Sequence, residues 1–115
     1  MEYPERDRQI LDQILRYCHE IDLAHGEYGQ SYVKFCESST YRNAVAMCLL
    51  QIGELVNKLS DDFKGKYNEI PWRAIKGMRN VVAHEYGSID VEIVWETAED
   101  GIRELKEFCR EYLEK

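Results

Sequence analysis

Ile10, Leu11, Ile14, Leu15, Cys18 and Ile21 recur at intervals of three and four residues, which lays one apolar stripe along an amphipathic helix. The stripe predicts a first helix from about Glu5 to Ala24. Pro4 suits its first turn and His25-Gly26 its exit, glycine being the residue that turns left-handed at least cost. On this reading His19 and His25 are surface or capping residues. From Glu27 to Thr40, Gly29, Ser31, Ser38 and Ser39 surround Tyr32-Val33-Lys34-Phe35-Cys36, a pattern that predicts a short packing helix inside a connection. Val45, Cys48, Ile52, Leu55 and Leu59 then step by 3, 4, 3 and 4, and Ala44, Ala46, Met47, Leu49, Leu50 and Val56 fill much of the remaining circumference. A helix apolar on most sides is a central one. The second helix, about Thr40 to Leu59, is therefore expected to form the core, with Ser60-Asp61-Asp62 opening a further short turn.

A third helix is bracketed by Pro71 in its first turn and Gly87 after its last residue, the usual asymmetry of helix ends. The fourth runs from about Asp90, a residue able to cap the first turn, to Leu113. Val91, Val94, Ala98, Leu105, Phe108 and Tyr112 keep three- and four-residue spacing across Gly101. Glu104, Glu107 and Glu111 alternate with Arg103, Lys106 and Arg110, which reads as a solvated face with weak ion pairs. The chain is thus all-α: four main helices plus short helical turns.

Composition narrows this without redirecting it. At 115 residues, residues 1–115 are expected to form a single domain around one core. With 44% hydrophobic and 32% charged residues, seven glycines and two prolines, disorder and low-complexity readings are excluded. There is no apolar run of about 18 residues. The start, Met1-Glu2-Tyr3-Pro4-Glu5-Arg6, lacks the basic-then-apolar layout of a signal peptide, so no membrane contact and a cytoplasmic location are expected. Cys18, Cys36, Cys48 and Cys109 form no C-x-x-C pair and read as reduced, mostly core thiols.

A net charge of −7 argues against sequence-independent binding to nucleic acid, which depends on neutralising phosphates. The balance is local, however. Between Lys64 and His84 there are five cations, Lys64, Lys66, Arg73, Lys76 and Arg79, against the single anion Glu69. The third helix therefore lies in the most basic part of an acidic protein. At 100° per residue with Arg79 at zero, Ala83 falls at about 40°, Lys76 at about 60°, Asn80 at about 100°, Arg73 at about 120° and His84 at about 140°. Ile75, Met78, Val82 and Tyr86 fall between about 260° and 340°, on the face expected to pack on the second and fourth helices.

Arginine, asparagine and histidine on one face can serve phosphate chemistry without a metal or any other cofactor. With three histidines and no clustered acids at ligand spacing, a catalytic zinc or a two-metal nuclease is not expected. In RNA the 2′-hydroxyl can attack its own phosphate, given a group to take one proton, a group to return another to the leaving oxygen, and a fixed cation for the transition state. Histidine suits the proton transfers and arginine the cation. His84 lies in the last helical turn, where the macrodipole favours its protonated form, and Asn80, one turn earlier, could orient it or hold a phosphate oxygen. One chain offers one such histidine, whereas a two-fold dimer offers two. The non-functional alternative is a helix end decorated with basic residues, in which Arg79 simply pairs with a core-edge carboxylate such as Glu54.

Arg79-Asn80-Val81-Val82-Ala83-His84-Glu85-Tyr86 matches the R-x4-H-x-Y motif of the HEPN superfamily. The wider run Ile70-Pro71-Trp72-Arg73, Gly77-Met78-Arg79-Asn80, His84-Glu85-Tyr86-Gly87, Ile89-Asp90 and Val94-Trp95 resembles its HepT-like branch, as does Ile52-Gly53-Glu54. The resemblance covers nearly the whole chain and implies an antiparallel, HEPN-like helical bundle. It implies a homodimer whose two motifs meet in a cleft, and a metal-independent endoribonuclease acting on RNA as the toxin of a type II or type VII toxin–antitoxin pair. The implied antitoxin is a minimal, MntA-like nucleotidyltransferase that attaches adenylate units to the motif tyrosine. Carried over, Arg79 and His84 are catalytic, Asn80 supporting and Tyr86 the candidate modification site, while Lys76 and Arg73 join the phosphate-facing side by the helical wheel. The resemblance also admits a non-catalytic HEPN module that binds a nucleotidyltransferase or a nucleotide.

Overall fold

Every element among the described residues is helical, as the apolar spacing predicts. The order is α1 (Glu5–Tyr28), α2 (Tyr32–Glu37), α3 (Ser39–Lys58), α4 (Asp61–Lys66), α5 (Trp72–His84), α6 (Val91–Glu96) and, after a π-helical turn at Thr97–Gly101, α7 (Ile102–Leu113). The computed structural model describes residues 5–84 and 91–114, without the side chains of residues 80–84. The predicted roles of Pro4, Gly87 and Asp90 at helix ends lie outside the described residues.

Side-chain ties between helix ends set the directions. Arg8, near the start of α1, donates from Nη2 to the carbonyl of Leu113 at the end of α7 at 2.8 Å. Further along, Lys106 Nζ lies 2.7 Å from Asp22 Oδ2. These two contacts place α1 and α7 antiparallel. Asp7, also in the first turn of α1, accepts from Ser60 N at 2.9 Å and from Ser60 Oγ at 2.7 Å, just past the end of α3. Thus α1 and α3 are antiparallel as well. The buried Asp7 is tolerated because both carboxylate oxygens are hydrogen-bonded. Ser60 in turn caps α4, its Oγ accepting from Phe63 N at 3.2 Å.

α3 is the central helix. Tyr41, Val45, Leu49, Ile52 and Val56 are all buried on it, and its most extensive packing is against α5 and α1. Each such side chain contributes about 1.5–3 kcal/mol through removal from water. Aromatic rings close both ends of the bundle. At one end Phe63 contacts Tyr67, Trp72, Phe108 and Tyr112. At the other Tyr28 stacks on Tyr41 at 4.4 Å, and Phe35 and Trp95 pack against the same ring.

The end of the first helix differs from its prediction. α1 runs on to Tyr28 through Gly26, and the left-handed residues are Gly29 at φ 72° and Gln30 at φ 51°. Gln30 N then bonds the carbonyl of His25 at 2.8 Å and closes the helix. His25 therefore continues the stripe of Ile14, Cys18 and Ile21, and it is buried rather than a surface or capping residue. His19, by contrast, is exposed as predicted. The four cysteines are free thiols: Cys18 and Cys109 are buried and Cys48 half-buried, while Cys36 is exposed and so falls outside the predicted core. Burial pushes the Cys18 thiol up to about 12 and Cys48 to about 11, and keeps them protonated.

His25 meets Tyr41 and Glu99. Its Nδ1 lies 2.5 Å from Tyr41 Oη, and Glu99 Oε1 lies 3.4 Å from Nε2, which makes no hydrogen bond among the described residues. Burial pushes the phenol of Tyr41 up to about 12, so the hydroxyl shares its hydrogen bond with Nδ1 as a neutral group. Burial also holds His25 below its ordinary value, against the opposing pull of Glu99 and Asp22. The sign follows: the unfolded chain takes up a proton below about pH 6.5 that the folded chain resists. Stability is accordingly complete above that pH and falls as the solution is acidified through it. A series of thermal melts from pH 7.5 to 5 is expected to show this loss, and His25→Gln is expected to flatten it.

The π turn at Thr97–Gly101 also has a cause in the spacing. Val94, Ala98 and Ile102 are buried at successive steps of four, each of which overshoots an α-helical turn by about 40°. Widening the turn to i→i+5 bonding absorbs the drift and keeps all three on the core side.

Candidate functional site

α5 begins where its first residues can be buried. Trp72 packs among the rings around Phe63 and donates Nε1–H to the carbonyl of Tyr67 at 3.0 Å, which ties the helix start to the end of α4. Ile75 N reaches the carbonyl of Pro71 at 3.1 Å to form the first turn. Ile75 and Met78 are buried, as the helical wheel predicts for that face, and Thr97 Oγ1 contacts Met78 Sδ at 3.6 Å from the π turn. The predicted core positions Val82 and Tyr86 lie outside the described side chains.

The opposite face carries the cations. Arg73 and Lys76 are exposed, and Arg79 is half-buried where α5 meets α3. The two helices touch there almost backbone to backbone. A Cβ added to the buried Gly53 would stand 2.8 Å from Arg79 Cβ, 3.4 Å from its N and 3.5 Å from its Cα, so glycine is what permits the approach. One residue on, Glu54 Oε1 lies 2.5 Å from Arg79 Nε. This is the pairing named above as the non-functional alternative, and both side chains keep about 40% of their surface, 39% and 42%.

The structure thus brings Arg73, Lys76 and Arg79 onto one helix and sets Glu54 against the last of them. His84 is the final residue of α5, which places its backbone one turn beyond Asn80, as expected. The side chains of Asn80 and His84, and Tyr86 as a whole, lie outside the described residues. Among the described residues no group of three or more His, Cys, Asp or Glu side chains is placed to hold a metal ion, and no helix is long and apolar enough to cross a membrane. What the sequence reading missed is the contribution of Gly53. An isolated glycine is tolerated inside a helical pattern, and nothing lies within 4 Å of a Cβ added to Gly26, Gly65 or Gly77, so spacing alone does not single out Gly53.

The same segments recur in other proteins. The family model described as Ribonuclease HepT-like matches residues 8–112. A Methanocaldococcus jannaschii protein named "Putative RNase MJ1216" is 36% identical over 104 residues, covering 90% of this chain and 84% of its own. "Putative RNase TTE0752" of Caldanaerobacter subterraneus subsp. tengcongensis is 34% identical over 108 residues, covering 94% and 95%. "Probable ribonuclease HepT" of Thermococcus cleftensis is 38% identical over 71 residues, covering 62% and 64%. No solved structure matches the chain at a significant level. With a match that runs from the first turns of α1 to the end of α7 and takes in the whole α3–α5 contact, the chain belongs to the ribonuclease HepT-like family.

Proposed function

We propose that the protein is a metal-independent endoribonuclease and the toxin of a toxin–antitoxin pair. The observation that carries this reading is the family match over residues 8–112 in a chain that retains the Arg79 and His84 of R-x4-H on α5. The names of the relatives, RNase and ribonuclease HepT, support the activity. In the proposed reaction a base takes the proton of a ribose 2′-hydroxyl and O2′ attacks the adjacent phosphorus. The bond to the 5′-oxygen breaks, and an acid returns a proton to that oxygen. The products are a 2′,3′-cyclic phosphate and a 5′-hydroxyl, with no water consumed.

His84 supplies the proton transfers, and Arg79 meets the charge that grows on the phosphate oxygens. Asn80 supports His84 or a phosphate oxygen, while Lys76 and Arg73 extend the cationic face along the RNA backbone. Base and acid are two groups and each chain has one motif histidine, so the site is composite, formed by the two motifs of a homodimer. The antitoxin is an MntA-like nucleotidyltransferase that silences the toxin by adenylylating Tyr86, on the chain just past α5. The setting is cytoplasmic.

Purified protein free of its partner is expected to cut RNA in excess chelator. Intact RNA at high enzyme excess contradicts the reading and leaves a non-catalytic module. Incubation with the cognate transferase and ATP is expected to add adenylate mass to the wild type and none to Tyr86→Phe. Equal labelling of both removes Tyr86 from the scheme.

A further inference from the structure

The Glu54–Arg79 pair is out of proportion to what it does for folding. Two side chains this exposed gain little stability from pairing, because water screens them and both lose rotamer freedom. Yet the contact sits on the closest approach of α3 and α5, at a glycine that a single methyl group would push away. Gly53 brings the α3 backbone against Arg79, and that places the next carboxylate within reach of Nε. Nε belongs to the planar guanidinium, so a carboxylate held against it restricts where the plane can lie. Catalysis by a fixed cation depends on that restriction, since a donor already aimed at developing charge needs no reorganisation when the reaction occurs.

We infer that Glu54 is a positioning residue, which holds the Arg79 guanidinium through Nε in the orientation used on the scissile phosphate. The inference rests on the ribonuclease reading above. Glu54 also offsets part of the charge of Arg79 in the resting protein. The carboxylate charge weakens the attraction of Arg79 for any phosphate, ground state and transition state alike, so the gain from Glu54 lies in orientation and exceeds this electrostatic cost. Loss of Glu54 is therefore expected to lower kcat while KM for RNA stays level or falls. Loss of an ordinary structural contact lowers the fraction folded and leaves kcat per folded molecule at the wild-type value.

The test compares wild type, Glu54→Gln and Glu54→Ala by RNA cleavage kinetics and by the Nε–H resonance of Arg79 in ¹⁵N NMR, assigned by its absence from Arg79→Lys. Glu54→Ala is expected to lower kcat about tenfold or more without raising KM, and to return the Nε–H signal to that of a solvated arginine. Glu54→Gln is expected to recover much of kcat, because its amide oxygen still accepts from Nε. The Gln variant also provides the result should the Ala variant fail to fold. Unchanged or increased kcat in Glu54→Ala overturns the inference, an increase marking Glu54 as an inhibitor of Arg79 instead. An Nε–H signal indifferent to Glu54 overturns it equally. If the wild type leaves RNA intact, the ribonuclease reading falls with the catalytic consequence, and the Nε–H signal still decides whether Glu54 positions Arg79.

Discussion

His84→Ala is expected to lower RNA cleavage by about 10²–10⁴-fold, the range in which a positioned acid or base contributes to a proton transfer. Arg79→Ala is expected to cost about 10²–10³-fold, as the loss of one donor to developing charge does. The proposed composite site makes a sharper demand. If each active centre takes one histidine from each of two chains, a mixed dimer of wild type and His84→Ala has no intact pair. Its activity is then expected to fall far below half that of the wild type. Tandem purification of differently tagged subunits gives that mixed species. Half activity in it would mean that each chain works alone, and the dimeric site would have to be abandoned.

The second large effect is on the framework that carries the site. Gly53→Ala puts a methyl group 2.8 Å from Arg79 Cβ, an atom fixed to the α5 backbone, so relief requires one helix to move. Overpacking of this kind costs about 1–3 kcal/mol, partly offset by the roughly 1 kcal/mol by which alanine is the better helix former. Gly77→Ala is the control, because nothing lies within 4 Å of its added Cβ and only the propensity gain applies. The two alanines are therefore expected to move Tm in opposite directions, Gly53→Ala down and Gly77→Ala up, by about 4 °C per kcal/mol in a chain of this size. RNA cleavage is expected to fall with Gly53→Ala and to hold with Gly77→Ala. A Gly53→Ala protein as stable and as active as the wild type would show that the helices have room to spare at the contact.

Much of this architecture is legible in residue spacing. The steps of Val45, Cys48, Ile52, Leu55 and Leu59 identify α3 as a helix apolar on most sides, and it is the central one. The wheel of α5 separates Ile75 and Met78, which are buried, from Arg73 and Lys76, which are exposed. Two features escape because they depend on departures from regular geometry. A single glycine inside an α-helix costs only about 1 kcal/mol, so Gly26 does not end α1, and the turn waits for Gly29. The steps of four at Val94, Ala98 and Ile102 contain the π turn but fit a kinked α-helix equally well until the chain is folded.

The candidate site was legible to a different depth. Residue types and the helical wheel permit phosphate chemistry on α5 without selecting it, and the R-x4-H-x-Y run supplies the family. The sequence suggests Glu54 as the partner of Arg79, though only as the pairing that makes the helix end non-functional, and the two side chains do pair. The fit of Glu54 with a functional arginine comes from Gly53, whose missing side chain brings the two helices together beside an otherwise ordinary surface ion pair. Helical periodicity treats a glycine as a neutral gap, so such a contact emerges only from the packing of α3 on α5.

The central claim is tested most directly by incubating RNA with the purified, partner-free protein in excess chelator and determining the chemistry of the product ends, with His84→Ala alongside. Cleavage by the wild type leaving 2′,3′-cyclic phosphate and 5′-hydroxyl ends, and its loss in His84→Ala, is the predicted result. Cleavage that stops with chelator, equal cleavage by His84→Ala, or RNA left intact by the wild type would contradict it.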